Sequence, residues 1–161
     1  AIVVDAETGE VLYQRSADLA LPPASTTKIL TAIIAIESGR LDDTLDVSAF
    51  AASTPPTKVG LPSGSRARLQ DLLYAVLLKS ANDAAEVVAE GLSGSQEEFA
   101  DRMNAKARRI GATNSHFENP HGLTADGHVS TARDLARIFR YGLNLPMFRD
   151  ILSTRAIVRV P

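Results

Sequence analysis

The chain has 161 residues, a mass of 17.2 kDa, 45% hydrophobic residues, 22% charged residues and no cysteine. These values are typical of one ordinary folded domain, and they exclude collagen-like, wholly disordered, disulfide-stapled and thiol-dependent proteins. The net charge of -2 provides no global field for nucleic acid or an anionic membrane surface, so neither is expected as a partner. The apolar runs are also far shorter than the roughly 20 residues of a membrane-spanning helix.

The first part of the chain predicts a hairpin followed by a buried helix. Residues 1–14 contain two β-rich runs separated by a turn with a glycine. Two prolines at 22–23 precede a helix predicted over 24–38, and Gly39 ends it, because proline suits the first turn of a helix and glycine the position after the last. Apolar residues occupy nearly every side of this helix, which predicts a central position in the core.

The middle of the chain predicts a long polar loop followed by two helices. Residues 39–64 are rich in Ser, Thr and Pro, and they predict a loop with a short helix near 47–52. Two buried helices are predicted over 69–78 and 82–92. The polar tripeptide at 79–81 joins them, so polar side chains are expected between two apolar elements.

Two amphipathic helices are predicted in the last third. Ser95 begins a capping box ahead of a helix that ends at Gly111, and its many charges are expected to form a solvated face. After a loop over 112–129, Thr131 caps a second helix. The inward face of this second helix is expected to consist of Leu135, Ile138 and Phe139.

At both ends of the chain, the sequence pattern predicts that further segments adjoin it. The sequence starts at Ala1 without an initiator Met and goes directly into β-branched residues, so an upstream segment such as a signal peptide is expected to have preceded it. Residues 157–160 alternate like the start of a strand, and Pro161 follows without a helix or a cap. We therefore expect residues 1–161 to form a single, partial domain of the α+β class.

A candidate nucleophile and a candidate base lie at the start of the first helix. Ser25 and Lys28 are three residues apart, so their side chains share one helix face. Burial disfavours the charged form of lysine, and a neutral lysine can accept the proton of a serine hydroxyl. Roughly 0.3 S-x-x-K matches are expected by chance, so a helix cap with a surface lysine explains the pattern as well.

A second polar pair lies at the junction of the two buried helices. Ser80 and Asn82 flank Ala81 where polar side chains can point into a cleft, although ordinary helix capping also explains them. About 0.4 S-x-N matches are expected by chance. The order of the motifs is more specific, because S-x-x-K at the head of an apolar helix followed by S-x-N is typical of penicillin-recognising serine enzymes.

Four segments are together more specific than either motif: residues 1–13 (AIVVDAETGEVLY), 21–32 (LPPASTTKILTA), 71–85 (DLLYAVLLKSANDAA) and 119–135 (NPHGLTADGHVSTARDL). They resemble the low-molecular-mass penicillin-binding proteins that act as serine-type D-alanyl-D-alanine carboxypeptidases. The resemblance implies the α+β fold of serine β-lactamases and penicillin-binding proteins, in which a helical cluster packs on an antiparallel sheet. This chain would stop before the C-terminal strands of that sheet.

The resemblance also implies a covalent mechanism without metal or cofactor. Ser25 would attack the carbonyl between the two terminal D-alanines of a peptidoglycan pentapeptide and form an acyl-enzyme that water hydrolyses. Lys28 would be the base for Ser25, Ser80 would relay a proton to the leaving amine, and Asn82 would hold the substrate amide and help to orient Lys28. β-Lactam antibiotics would acylate Ser25 as mimics of the substrate.

The same resemblance implies where the protein is located and which of the family's motifs the chain contains. The substrate lies outside the cytoplasm of a bacterium, so an extracytoplasmic location is expected, and membrane attachment through a segment outside this chain is left open. The family's third motif, K-T-G or K-S-G on a strand, does not occur in the 161 residues. In the family it supplies a lysine, a carboxylate-binding hydroxyl and an oxyanion donor, so we expect this chain alone to be a poor catalyst.

Three alternative hypotheses remain. A class A β-lactamase shares the first two motifs, but Ala81 stands where S-D-N has Asp, and no E-x-x-x-N occurs in the sequence. A non-catalytic remnant that binds penicillin or peptidoglycan is consistent with the missing third motif. The last hypothesis is a zinc site, with ligands from His116, Glu118, His121, Asp126 and His128. The histidine spacings fit no helical ligand pair, which favours a hydrogen-bonded polar loop instead.

Overall fold

The computed structural model describes residues 1–155, in which helices pack around one central helix beside two small sheets. The elements in chain order are β1 (Ile2–Val4), β2 (Val11–Gln14), a 3-10 turn (Ala24–Thr26), α1 (Thr27–Glu37), β3 (Thr44–Asp46), α2 (Ala49–Ser53), β4 (Arg66–Arg68), α3 (Leu69–Lys79), α4 (Asn82–Ser93), α5 (Gln96–Ile110), α6 (Ala132–Gly142) and α7 (Pro146–Ser153). β1 pairs with β2 and β3 with β4, both antiparallel. The α+β class predicted from the sequence is confirmed, whereas the strand predicted at 157–160 lies outside the described residues.

α1 is the central helix, as its apolar composition predicts. Every residue from 30 to 35 is at most 5% exposed, and α3, α4, α5, α6 and α7 all pack against it. Full burial of one leucine or isoleucine side chain contributes about 1.5–3 kcal/mol to stability. The helix is therefore fixed from all sides, and so are the residues at its N-terminal end.

α3 and α4 meet at a sharp corner at Ser80. Ser80 adopts φ 55° and ψ 37°, a left-handed conformation that ends α3. Ala81 follows at 0% exposure, and its N–H donates to the Ala75 carbonyl at 3.1 Å. Since both helices also pack against α1, the corner is held in a fixed position relative to that helix.

The residues between α1 and α3 contain two strands that the sequence did not predict. β3 and β4 have three residues each, which is too short for an alternating pattern to be recognised. The short helix predicted near 47–52 is present as α2, and the Ser48 hydroxyl caps it by accepting the Ala51 N–H at 2.9 Å.

α5 and α6 begin where their caps predict. The Ser95 hydroxyl accepts the Glu98 N–H, and the Thr131 hydroxyl accepts the Asp134 N–H, both at 3.1 Å. On α6, Ile138 is buried as expected, but the prediction for Phe139 was wrong, because this residue is 38% exposed. Neighbouring positions on a helix point about 100° apart, so Phe139 lies at the edge of the buried face of α6, where its ring contacts Phe148 of α7 edge-on with the ring centroids 5.9 Å apart. Within residues 1–155, every helix is too short or too polar to cross a membrane.

Candidate active site

Ser25 lies exposed in the turn that leads into α1. The preceding Ala24 has φ 49°, in the left-handed region that side chains other than glycine rarely adopt. The following Thr26 anchors the turn, because its hydroxyl donates to the Pro23 carbonyl at 2.5 Å. The turn therefore presents a serine hydroxyl to solvent from a rigid base.

Lys28 lies directly beneath Ser25 and is only 2% exposed. Its Nζ lies 3.2 Å from Ser25 Oγ and donates to the carbonyl oxygen of His121 at 2.6 Å. Burial lowers the pKa of Lys28 from 10.5 to about 8, so about a tenth of the molecules carry a neutral amine at pH 7. In that form one N–H can stay on the His121 carbonyl while the lone pair turns toward the serine hydroxyl, so the 3.2 Å separation suits a general base.

The segment 119–123 presses against the turn that carries Ser25. The Pro120 carbonyl accepts the Thr31 hydroxyl of α1 at 2.6 Å. Gly122 has φ +86°, and a Cβ atom on it would lie 1.9 Å from the Ala24 carbonyl oxygen. Only glycine fits this contact. Resemblance marked this segment in the sequence, but no local pattern indicated that it would hold Lys28.

Ser80 and Asn82 flank the corner between α3 and α4, and Asn82 is 4% exposed. The main chain of Asn82 donates to Thr57 O at 2.7 Å, and its side-chain Nδ2 donates to Pro55 O at 2.8 Å. Among residues 1–155, no hydrogen bond joins Ser80 or Asn82 to Lys28. In this structure Asn82 therefore holds the neighbouring loop, and the main chain of His121 holds the lysine.

Asp83 anchors the same loop, and the sequence analysis missed it. Its buried carboxylate accepts the N–H groups of Val59, Gly60 and Leu61 at distances of 2.8–3.1 Å. These donors and the start of α4 offset the cost of burying the charge. A charged residue directly after the S-x-N motif, at the head of an apolar helix, was the available signal.

The three histidines separate instead of meeting at one point. His116 Nε2 lies 2.8 Å from Glu118 Oε1, while His128 Nε2 lies 2.9 Å from Thr27 Oγ1 on α1. His128 Nδ1 accepts the Glu118 N–H at 3.0 Å, so the loop is fixed to α1 one residue before Lys28. In the part of the chain that the structure describes, no group of three or more His, Cys, Asp or Glu side chains is arranged to hold a metal ion.

A surface cavity of about 320 Å³ lies away from this site, between the β1–β2 hairpin and α6. Neither Ser25 nor Lys28 lines it. The candidate site thus rests on the proximity of a nucleophile and a buried base rather than on the depth of a cavity.

Comparison with known protein families decides where the chain belongs. The family model for D-alanyl-D-alanine carboxypeptidases, peptidase family S11, matches residues 1–154. The chain belongs to this family. This agrees with the resemblance found in the sequence.

Individual relatives include carboxypeptidases and an endopeptidase. The chain is 38% identical over 141 residues to D-alanyl-D-alanine carboxypeptidase DacF of Bacillus subtilis, a match covering 84% of this chain and 36% of DacF. It is 39% identical over 154 residues to DacB2 of Mycobacterium tuberculosis, covering 94% of this chain and 53% of DacB2. It is 38% identical over 159 residues to a D-alanyl-D-alanine endopeptidase of Pseudomonas aeruginosa, covering 96% of this chain and 50% of the endopeptidase. The chain spans about half of these relatives or less.

Solved structures show the same fold. A D-alanyl-D-alanine carboxypeptidase of Mycobacterium tuberculosis superposes with a TM-score of 0.91 at 37% identity, covering 95% of this chain and 58% of the other. A mutant of the Streptomyces K15 DD-transpeptidase superposes with a TM-score of 0.88 at 26% identity, covering 93% of this chain and 62% of the other. The fold of the penicillin-binding serine peptidases expected from the sequence is confirmed.

Proposed function

We propose that the protein acts as a serine-type D-Ala-D-Ala carboxypeptidase, with Ser25 as its nucleophile and Lys28 as the base. The observation that carries this proposal is the buried amine of Lys28, with its pKa lowered to about 8, at 3.2 Å from the exposed Ser25 hydroxyl. Membership of the D-alanyl-D-alanine carboxypeptidase family supports the substrate class.

The reaction would proceed through a serine ester. Ser25 Oγ attacks the carbonyl carbon between the two terminal D-alanines of a peptidoglycan pentapeptide, and its proton passes to the neutral Lys28 amine. The peptide bond then breaks, the leaving D-alanine nitrogen takes up a proton, and the acyl group stays on Oγ. Water hydrolyses the ester and regenerates Ser25. We assign the proton relay to the leaving amine to Ser80 and the hold on the substrate amide to Asn82.

The third family motif bears on how fast this chain works. Neither K-T-G nor K-S-G occurs in its 161 residues, so these residues do not supply the groups that this motif provides in the family. We expect slow acylation and slow peptide hydrolysis by the chain alone. We also propose an extracytoplasmic location, because peptidoglycan pentapeptides are found there.

Intact-protein mass spectrometry after incubation with benzylpenicillin tests the nucleophile. We expect one covalent adduct on the wild type and none on Ser25→Ala. Ser53→Ala is the matched control, because Ser53 is an exposed serine that bonds only its own helix at Phe50 O. An adduct that persists on Ser25→Ala would overturn the assignment. Repeating the experiment on a chain extended past Pro161 to include the third motif separates a slow site from an inactive one.

Product analysis separates the reaction types. Release of D-alanine from a pentapeptide supports the carboxypeptidase, whereas cleavage of a cross-linked peptide dimer alone would indicate the reaction for which the Pseudomonas relative is named. Rapid turnover of the penicillin adduct would point to a β-lactamase. Peptide binding without cleavage by the extended chain, retained in Ser25→Ala, would point to a binding protein.

A further inference from the structure

A buried carboxyl group lies behind the candidate site and takes no part in the mechanism above. Glu86 belongs to the second turn of α4 and is 0% exposed, between Ala85 and Val87, which are also fully buried. Among the described residues, neither carboxyl oxygen of Glu86 has a hydrogen-bond partner. An acidic side chain is rarely found fully buried without a pairing partner, so its place in the core of α4 requires an explanation.

The polar group that lies beside the Glu86 carboxyl group is the imidazole of His121. Glu86 Oε2 lies 3.5 Å from His121 Nε2, slightly beyond a good hydrogen bond. The other ring nitrogen, Nδ1, accepts the Leu123 N–H at 3.2 Å. A neutral imidazole has one N–H, so this contact places the proton on Nε2, which faces Glu86.

The protonation states agree with this pairing. Burial raises the pKa of Glu86 to about 8, with a smaller contribution from the negative charge of Glu90. Burial lowers the pKa of His121 to about 4, and the charges of Lys28 and His128 add to that effect. At neutral pH both groups are therefore uncharged, and a carboxyl oxygen can accept the Nε2–H. An uncharged pair does nothing to stabilise the ammonium form of Lys28.

The main chain of the same histidine holds the base. The His121 carbonyl oxygen accepts from Lys28 Nζ at 2.6 Å, the shorter of the two contacts of that nitrogen. A shift of His121 would move this oxygen and change the direction in which the amine faces Ser25. The ring of His121 and the oxygen that holds the base thus belong to the same residue.

We propose that Glu86 is a positioning residue for the acylation of Ser25. Its carboxyl group fixes the imidazole of His121, and the main chain of His121 holds Lys28 at the distance and angle that the serine requires. The inference rests on the proposed function, since it assigns Glu86 a role in the same acylation reaction.

Two substitutions of similar length separate positioning from packing. Glu86→Met removes the acceptor and leaves an apolar side chain in an apolar helix, so we expect an equal or higher Tm with acylation by benzylpenicillin slowed about tenfold or more. Glu86→Gln keeps an oxygen that can accept the Nε2–H, and we expect it to restore acylation to within about threefold of the wild type. Glu90→Met, the same exchange one turn further along α4, is the control and should acylate like the wild type.

A purely structural role would change Tm and acylation together, and it gives no reason for glutamine to rescue the rate. Wild-type acylation by Glu86→Met would overturn the proposal, and so would a slow Glu86→Gln variant with an unchanged Tm. The control for the function itself is the wild type beside Ser25→Ala in the chain extended past Pro161, because failure of that wild type to acylate overturns the proposed function.

The His121 ring supplies a readout that does not depend on acylation. Nuclear magnetic resonance of ¹⁵N-histidine-labelled protein, with three histidines in the chain, should show a slowly exchanging Nε2–H in the wild type and in Glu86→Gln. We expect this signal to be lost in Glu86→Met. Its persistence there would show that Glu86 does not hold the ring and would overturn the inference even if the chain acylates normally.

Discussion

The acylation of Ser25 should speed up as the pH rises from 6 to 9. With a Lys28 pKa of about 8, the neutral amine grows from roughly 1% of molecules at pH 6 to roughly 90% at pH 9, so the rate constant should rise by roughly two orders of magnitude and then level off. Lys28→Arg keeps its charge throughout this range. This variant should therefore be slow at every pH.

The same pKa predicts a change in stability. The folded-state pKa of about 8 lies below the unfolded value of 10.5, so between these two pH values the unfolded chain binds the Lys28 proton and the folded chain does not. The contribution of Lys28 to the free energy of unfolding therefore increases with pH across this window, by about 3 kcal/mol in total. Below pH 8 the full cost of burying the ammonium group remains. The difference between the wild type and Lys28→Met in urea unfolding isolates this contribution.

Two measurements check the reasoning. Rates of benzylpenicillin acylation from pH 6 to 9 give the kinetic midpoint, and side-chain nuclear magnetic resonance resolves Lys28 among the four lysines of the chain. A flat pH–rate profile, or a Lys28 titration midpoint near its ordinary 10.5, would refute the assignment of Lys28 as a desolvated base.

Three further substitutions, one of them with a control variant, test other parts of the site and core. Gly122→Ala should reduce acylation by about 100-fold, because its Cβ would clash with the Ala24 carbonyl. Gly64→Ala is the control, since Gly64 is also at positive φ but in open space, and it should lower the free energy of unfolding in urea by only about 1 kcal/mol. Asp83→Asn should lower stability by about 1–3 kcal/mol and speed hydrogen exchange at 59–61, whose N–H groups it binds. Phe99→Ala should cost about 3–5 kcal/mol, because Phe99 is fully buried; a loss below 1 kcal/mol in urea unfolding would contradict this packing.

Local sequence patterns were sufficient to predict the features that depend on residues a few positions apart in the chain. The starts of α5 and α6 follow from Ser95 and Thr131, since each cap binds an N–H three residues away. The proximity of Ser25 and Lys28 follows from their helical spacing. The exposure of Phe139 does not follow from local patterns. Whether a residue of α6 lies in the core or in solvent depends on long-range packing, here on which surface of α6 is covered by α7. The strands β3 and β4 also depend on a partner about 20 residues away.

The sequence by itself determined the order of most helices, the family resemblance and the candidate nucleophile with its base. Tertiary structure alone decided that Lys28 is buried and that its amine bonds a carbonyl 93 residues further along the chain. It also decided that the Asn82 side chain bonds the Pro55 carbonyl of a neighbouring loop rather than Lys28. Caps and helical spacing involve residues a few positions apart, so they can be recognised in the chain. The pKa of Lys28 is set by desolvation, which exists only after α1, α4 and the 119–123 segment have packed together.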